Sequence, residues 1–260
     1  MGGDYHNVGN DRGMKLMVMA EDVVGLNVAR WLLSNYECDV ALVVTMARNE
    51  IFHEAVARGV PAIVFESDAQ VVSYCRDNNL EIDLGLVVWW PRIIHEPLLT
   101  LASEGLINTH PSLLPYNRGK HYNFWALVEQ APFGVSLHFI NDGIDCGDIV
   151  AQAPIVCSWE DSGETLFLKA RDAMIELVCA TYPRLRALNV TRKHQDASLG
   201  SFHLAKELEP ASLIDLDQSY QARDLLNLLR ARTFAGHPSC WFADGNDEFE
   251  VRVNIRRKVT

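Results

Sequence analysis

A chain of 260 residues, 48% hydrophobic and 22% charged, can build one large core, or a main domain with a small appendage. Its formal charge of −11 argues against a partner gripped through nucleic-acid phosphates, although a few local cations can still hold a small anion. The longest apolar runs fall short of the roughly eighteen residues a membrane span needs.

The polar, Gly-rich start, MGGDYHNVGNDRG, lacks the basic opening and apolar centre of a secretory signal and reads as a flexible leader over 1–13. From residue 14 the apolar runs alternate in character. KLMVMA (15–20), DVALVVTM (39–46), PAIVF (61–65), DLGLVVWW (83–90) and LINTH (106–110) read as strands. Between them GLNVARWLLSNY (25–36), EIFHEAVARG (50–59), AQVVSYCRDNN (69–79) and EPLLTLASEG (96–105) read as helices. Such alternation predicts an α/β, Rossmann-like, mostly parallel sheet with helices on both faces. The first strand runs into AEDVVGLN rather than a G-x-G-x-x-G turn, which argues against a nicotinamide or flavin cofactor.

Beyond residue 122 the pattern continues with a helix at NFWALVEQ (123–130) and strands at GVSLHFI (134–140) and DIVAQAPIVC (148–157). The Asp- and Gly-rich NDGIDCG between those strands is turn chemistry. A long amphipathic helix over 161–182 is expected to stop near Pro183. The polar stretch NVTRKHQDASLGS reads as a boundary, giving a catalytic domain over 14–195 and a small helix and β-hairpin subdomain over 196–260. There DQSYQARDLLNLLRA (217–231) reads as a helix capped by Asp217. In the hairpin that follows, Phe249, Val251, Val253 and Ile255 alternate with polar residues as in a half-buried strand. The six cysteines are scattered with no C-x-x-C, so reduced core thiols, a cytoplasmic setting and no metal are expected.

The stretch INTHPSLLPYNRGK concentrates chemistry. On a strand, residues two apart share a face, so Asn108 and His110 project together at the C-terminal end of the sheet, where open α/β sheets bind ligands. An amide beside an imidazole offers a fixed donor next to a group that can give or take a proton, which suits acyl transfer to an amine or to water. A carboxylate should orient the imidazole, and Asp142, Asp145 and Asp148 are all candidates. His138 lies on a strand facing the same site. By residue type alone Trp89, Trp90 and Ile94 read as core, with Arg92 extending beside them.

NTHPSLLPYNRG followed by GVSLHFINDGIDCGDIVAQ resembles the formyltransferases that use 10-formyltetrahydrofolate, over roughly residues 15–180. The resemblance implies that Asn108, His110 and Asp145 are catalytic. It also implies that the folate lies against Trp90, Arg92, Ile94, Phe139, Ile140, Asn141, Gly143 and Ile144. RGKHYNFWAL resembles the branch acting on sugar nucleotides, with Arg118, Lys120, Tyr122 and Asn123 as acceptor contacts. A 4-amino-4,6-dideoxy sugar linked to GDP (as in GDP-perosamine) or to dTDP is the expected acceptor, used in O-antigen and lipopolysaccharide synthesis. A homodimer is expected, with no nucleic acid as partner. The competing readings are a formyltetrahydrofolate hydrolase and a methionyl-tRNA formyltransferase. The hydrolase would not need the cationic loop, and an acidic chain with a short hairpin suits RNA poorly.

Overall fold

In the computed structural model, which describes residues 13–259, the alternating runs assemble into one mixed sheet. The leader expected over 1–13 lies, apart from Gly13, outside the described residues. Strands β1 (Leu16–Ala20), β2 (Val40–Thr45), β3 (Ala62–Val64), β4 (Leu84–Val88) and β5 (Leu106–His110) pair in parallel. A two-residue strand, β6 (Arg118–Gly119), stands outside this sheet. β7 (Gly134–Phe139) and β8 (Ile149–Pro154) extend it antiparallel, giving the order β3-β2-β1-β4-β5-β7-β8.

The sheet is covered on both faces because its strands are apolar on both. Leu16, Val18 and Ala20 of β1 pack under α1 (Asp22–Asn35), with α2 (Glu50–Ala57) joining the same core. Met17 and Met19 face the opposite core, to which α3 (Asp68–Asp77) contributes Val71 and Cys75. α4 (Tyr122–Val128) and α5 (Gly163–Arg186) complete the first layer, where Leu166, Ala170, Met174 and Val178 form the buried stripe of α5. Ser162 and Thr165 close a reciprocal capping box at its start.

Three elements depart from the sequence reading. EPLLTLASEG is a series of turns, not a helix. Pro97 has no N–H to give, and Ser103 and Glu104 donate instead to the Ile82 and Asp83 carbonyls. α5 does not stop at Pro183 but runs on to Arg186. Its last turn is anchored from outside, because Tyr182 and Arg186 both bond the buried Asp39 carboxylate, at 3.0 and 2.6 Å. In the C-terminal part, β9 (Phe202–His203) and α6 (Leu208–Ala211) precede α7 (Ala222–Ala231). α7 begins five residues later than expected: Asp217 sits in a turn where its N–H meets the Asp215 carboxylate.

The hairpin of β10 (Cys240–Asp244) and β11 (Asp247–Val251) forms, with Cys240 opposite Val251, but β11 ends there, so Val253 and Ile255 lie beyond the strand expected to hold them. It is more exposed than its alternation implied, and Phe249 keeps 46% of its surface open. Among the described residues no helix is long and apolar enough to cross a membrane.

Candidate active site

A cleft of about 1380 Å³ opens at the C-terminal ends of β4 and β5. That is larger than the ~300–1,000 Å³ usual for one small ligand and leaves room for two. Asn108 and His110 stand on its floor, and the antiparallel partner β7 places His138 directly opposite Asn108. The loop after His110 is pinned from below by the buried Ser136. Its hydroxyl accepts from Leu114 N at 3.0 Å and donates to the Ser112 carbonyl at 2.7 Å.

The hydrogen-bond partners orient both imidazoles. His138 Nδ1 faces the Phe139 carbonyl at 2.8 Å, and a carbonyl can only accept, so Nδ1 carries the proton. His138 Nε2 meets Asn108 Nδ2 at 3.2 Å. The Asn108 amide is thereby oriented, with its second N–H free of this contact. His110 Nε2 meets the Asn117 carbonyl at 3.2 Å, and that contact sets the orientation of the ring. Its Nδ1 is left 3.4 Å from Asp145 Oδ2.

Of the three candidate carboxylates, Asp145 is the one beside the imidazoles. Its Oδ1 lies 3.5 Å from His138 Nε2, and its Oδ2 accepts from Gly119 N at 3.0 Å. Burial pushes the Asp145 carboxyl up, but His110, His138 and the Gly119 N–H outweigh it and hold the group well below the usual carboxylate range. Burial, partly opposed by the Asp145 charge, lowers the pKa of His110. The pair therefore rests as a carboxylate beside a neutral imidazole. Asp148 instead meets His194 at 3.3 Å, and Asp142 lies elsewhere on the cleft wall.

Backbone conformation is unusual around the same point. Asp22, Trp89 and Asp145, all on the cleft wall, hold φ of +61°, +53° and +52°, and the adjacent Asn117 holds +51°. Left-handed non-glycine residues cost energy and persist where surrounding contacts enforce them. For Asp145 those contacts include the buried Gln195, whose amide donates to the Asp145 and Gly147 carbonyls at 3.1 and 2.6 Å.

Most of the residues expected against a folate line the cleft: Trp90, Arg92, Ile94, Ile140, Asn141, Gly143 and Ile144. Phe139 does not. Its ring is buried behind the wall, with the Arg192 guanidinium 3.7 Å from its centroid. Of the expected acceptor contacts, Lys120 and Tyr122 line the cleft, whereas Arg118 and Asn123 do not. The Asn123 amide donates to the Gly163 carbonyl at 2.8 Å and so ties α4 to α5. Tyr122 sets its ring edge-on to His110, 5.8 Å away. Burial and the Asp22 charge push its phenol up, so it stays protonated.

Sequence reading missed a whole side of the cleft. Phe202, His203, Leu204 and Ala205 line it, because β9 pairs in parallel with β6 beside the cationic loop. Gly119 permits this approach: a Cβ there would meet the His203 carbonyl at 2.2 Å, and its φ is +87°. The only local hint was the glycine itself, since the strap is more than eighty residues away along the chain.

The sequence model for "Formyl transferase" matches residues 34–181, and that for "N-formyltransferase dimerization C-terminal domain" matches 207–257. A dTDP-4-amino-4,6-dideoxyglucose formyltransferase of Mycobacterium tuberculosis is 32% identical over 151 residues. The match covers 58% of this chain and 64% of that protein, less than two thirds of its length. Two solved structures share the fold. One is a sugar N-formyltransferase from a Shewanella species, at 18% identity and TM-score 0.78, covering 95% of this chain and 99% of that one. The other is a 4-N formyltransferase from Francisella tularensis, at 20% identity and TM-score 0.75, covering 94% and 99%. With the first model spanning more than half of its residues, this chain belongs to the formyl transferase family.

Proposed function

We propose that the protein transfers a formyl group from 10-formyltetrahydrofolate to the amino group of a nucleotide-linked 4-amino-4,6-dideoxy sugar. The observation that carries this reading is the joint Asn108, His110, His138 and Asp145 constellation on the floor of a cleft with room for two ligands. The donor side fits a flat folate ring. Ile94, Ile140 and Ile144 give apolar walls, and the buried indole N–H of Trp90 has no protein partner.

The folate, when bound, supplies an electrophilic formyl carbon whose oxygen gathers negative charge as the amine adds. The free N–H of Asn108 is the donor for that charge, held in aim by His138. The His110 imidazole, neutral and backed by Asp145, takes the proton the amine releases. A C–N bond forms at the sugar nitrogen and the C–N bond to the folate nitrogen breaks. The proton passes from His110 to that leaving nitrogen, which restores the resting pair. Lys120, on the cleft wall beside the strap, meets the acceptor's phosphates.

The acceptor reading draws on the 32% identical relative, named for dTDP-4-amino-4,6-dideoxyglucose, and places a dTDP-linked sugar ahead of a GDP-linked one. We further take 14–195 as the catalytic domain and 196–260 as the subdomain through which two copies associate, in a cytoplasmic enzyme of lipopolysaccharide synthesis. The test is a panel of amines with 10-formyltetrahydrofolate: dTDP- and GDP-linked 4-amino-4,6-dideoxy sugars, glycinamide ribonucleotide and methionyl-tRNA, each followed by mass. The dTDP-linked amino sugar should gain one formyl group with the highest kcat/KM. Preferential formylation of the tRNA or of glycinamide ribonucleotide would overturn the reading.

A further inference from the structure

The two proton-handling side chains are held by the backbone of one short segment. The Asn117 carbonyl meets His110 Nε2, and the Gly119 N–H donates to Asp145 Oδ2. That segment has no regular secondary structure to stiffen it beyond the two-residue β6. Asn117 is fully buried in a left-handed conformation, so something outside the segment must hold it.

The partner is Glu129, at the C-cap of α4. One carboxylate oxygen accepts from Asn117 Nδ2 at 2.9 Å and from the Ser201 hydroxyl at 2.7 Å. The other meets His203 Nε2 at 2.7 Å, and His203 in turn stacks on Trp125, centroids 3.8 Å apart and nearly parallel. Ser201 and His203 then grip the same segment through the backbone. The Ser201 hydroxyl accepts from Asn117 N at 3.3 Å, the Ser201 carbonyl from Arg118 N at 3.0 Å and the His203 carbonyl from Lys120 N at 2.9 Å. One carboxylate thus joins α4, the catalytic loop and the strap from the C-terminal part.

We infer that Glu129 is a positioning residue for the His110–Asp145 pair, acting through Asn117 and the Ser201–His203 strap. By holding the Asn117 carbonyl against Nε2, it keeps the His110 ring in the orientation that sets Nδ1 beside Asp145. Glu129 touches neither substrate: it is absent from the cleft wall. The C-terminal part accordingly contributes to the geometry of the reacting groups, beyond any role in association.

The inference rests on the formyl-transfer reading, and the test separates the two. In Glu129→Gln the carboxylate charge is lost with little change in size, so kcat should fall about 10- to 100-fold, the scale of a misplaced reacting group. The loss should fall on kcat more than on either KM, because Glu129 itself lines no part of the cleft. Introduced into His110→Ala, Glu129→Gln should cost nothing further on the residual rate, because its effect runs through the missing ring. Nitrogen-15 spectra of His110 supply a readout independent of turnover: the Nε2 resonance carries the shift of its Asn117 contact in the wild type and loses it in the variant. Should Glu129→Gln not fold, Ser201→Ala loosens the same junction and is read in the same way, with a smaller loss. An unchanged kcat, a rise in KM alone, or a loss that persists in full without His110 overturns the inference. If the wild type formylates no amino sugar, the functional reading has failed, and an unaltered His110 spectrum in the variant would show that the positioning role has failed as well.

Discussion

His138 and Asn117 each hold one of the two side chains proposed to react, Asn108 and His110. His138 turns the Asn108 amide, while the Asn117 carbonyl fixes the imidazole of His110. Removing the Asn108 amide or the His110 ring should lower kcat by about 10²-fold or more, the scale for losing an oxyanion donor or a general acid–base. Asp145→Asn should cost a similar factor with the fold retained, whereas Asp142→Asn and Asp148→Asn should cost less. Steady-state rates together with circular dichroism check all five, and a His110→Ala enzyme of near wild-type turnover would remove the mechanism. The pH dependence follows from the same pair. His110 titrates below the ordinary histidine value of 6.5, so the imidazole stays unprotonated on acidification through neutrality, and kcat should fall only below that value. Stability follows the same signs. The Asp145 contribution is fully present above the unfolded carboxyl pKa of about 3.9 and is lost as pH falls through it towards the lower folded value. His110 adds to the acid sensitivity, because below 6.5 the unfolded chain takes up a proton that the buried ring resists. Melting temperature against pH measures both.

The acceptor loop and β9 form one wall through β6, and here the side chains of the cationic loop separate. Lys120 lines the cleft while the Arg118 guanidinium does not, although the sequence offered them as a pair. Lys120→Ala should therefore raise the acceptor's KM about tenfold and leave the folate's near its original value, as expected for losing one charge-assisted contact. Arg118→Ala should change the acceptor's KM much less, and substrate titrations of both variants check the contrast. What was legible at this scale was whatever a short period encodes. Asn108 and His110 two apart on a strand, the apolar runs of β1 to β5 and the stripe of α5 follow from local spacing alone. Contacts made across eighty residues leave no such trace, as with Asn117 to Ser201, or with Asp39 carrying α5 past Pro183. EPLLTLASEG misled for a related reason. Leu98 and Ala102 are buried as a helical face would be, yet the backbone bonds that decide the conformation go to Ile82 and Asp83.

Taken whole, the molecule sets two cations, Arg92 and Lys120, on a cleft wall that also carries Glu21, Asp22, Glu96, Asp142 and Asp145. The net charge of −11 disfavours polyanionic partners, while Arg92 and Lys120 on the cleft wall remain available to a small anionic ligand. In the proposed reaction the cleft brings a formyl donor to an amine instead of to water. That transfer is tested most directly by supplying 10-formyltetrahydrofolate labelled with carbon-13 in the formyl group, together with a dTDP-linked 4-amino-4,6-dideoxy sugar, and following the label by NMR. The account predicts that the label appears in the sugar formamide in step with donor consumption, and that omitting the amino sugar nearly abolishes consumption. Label released as formate at a rate the amino sugar does not change would contradict it and identify water as the acceptor.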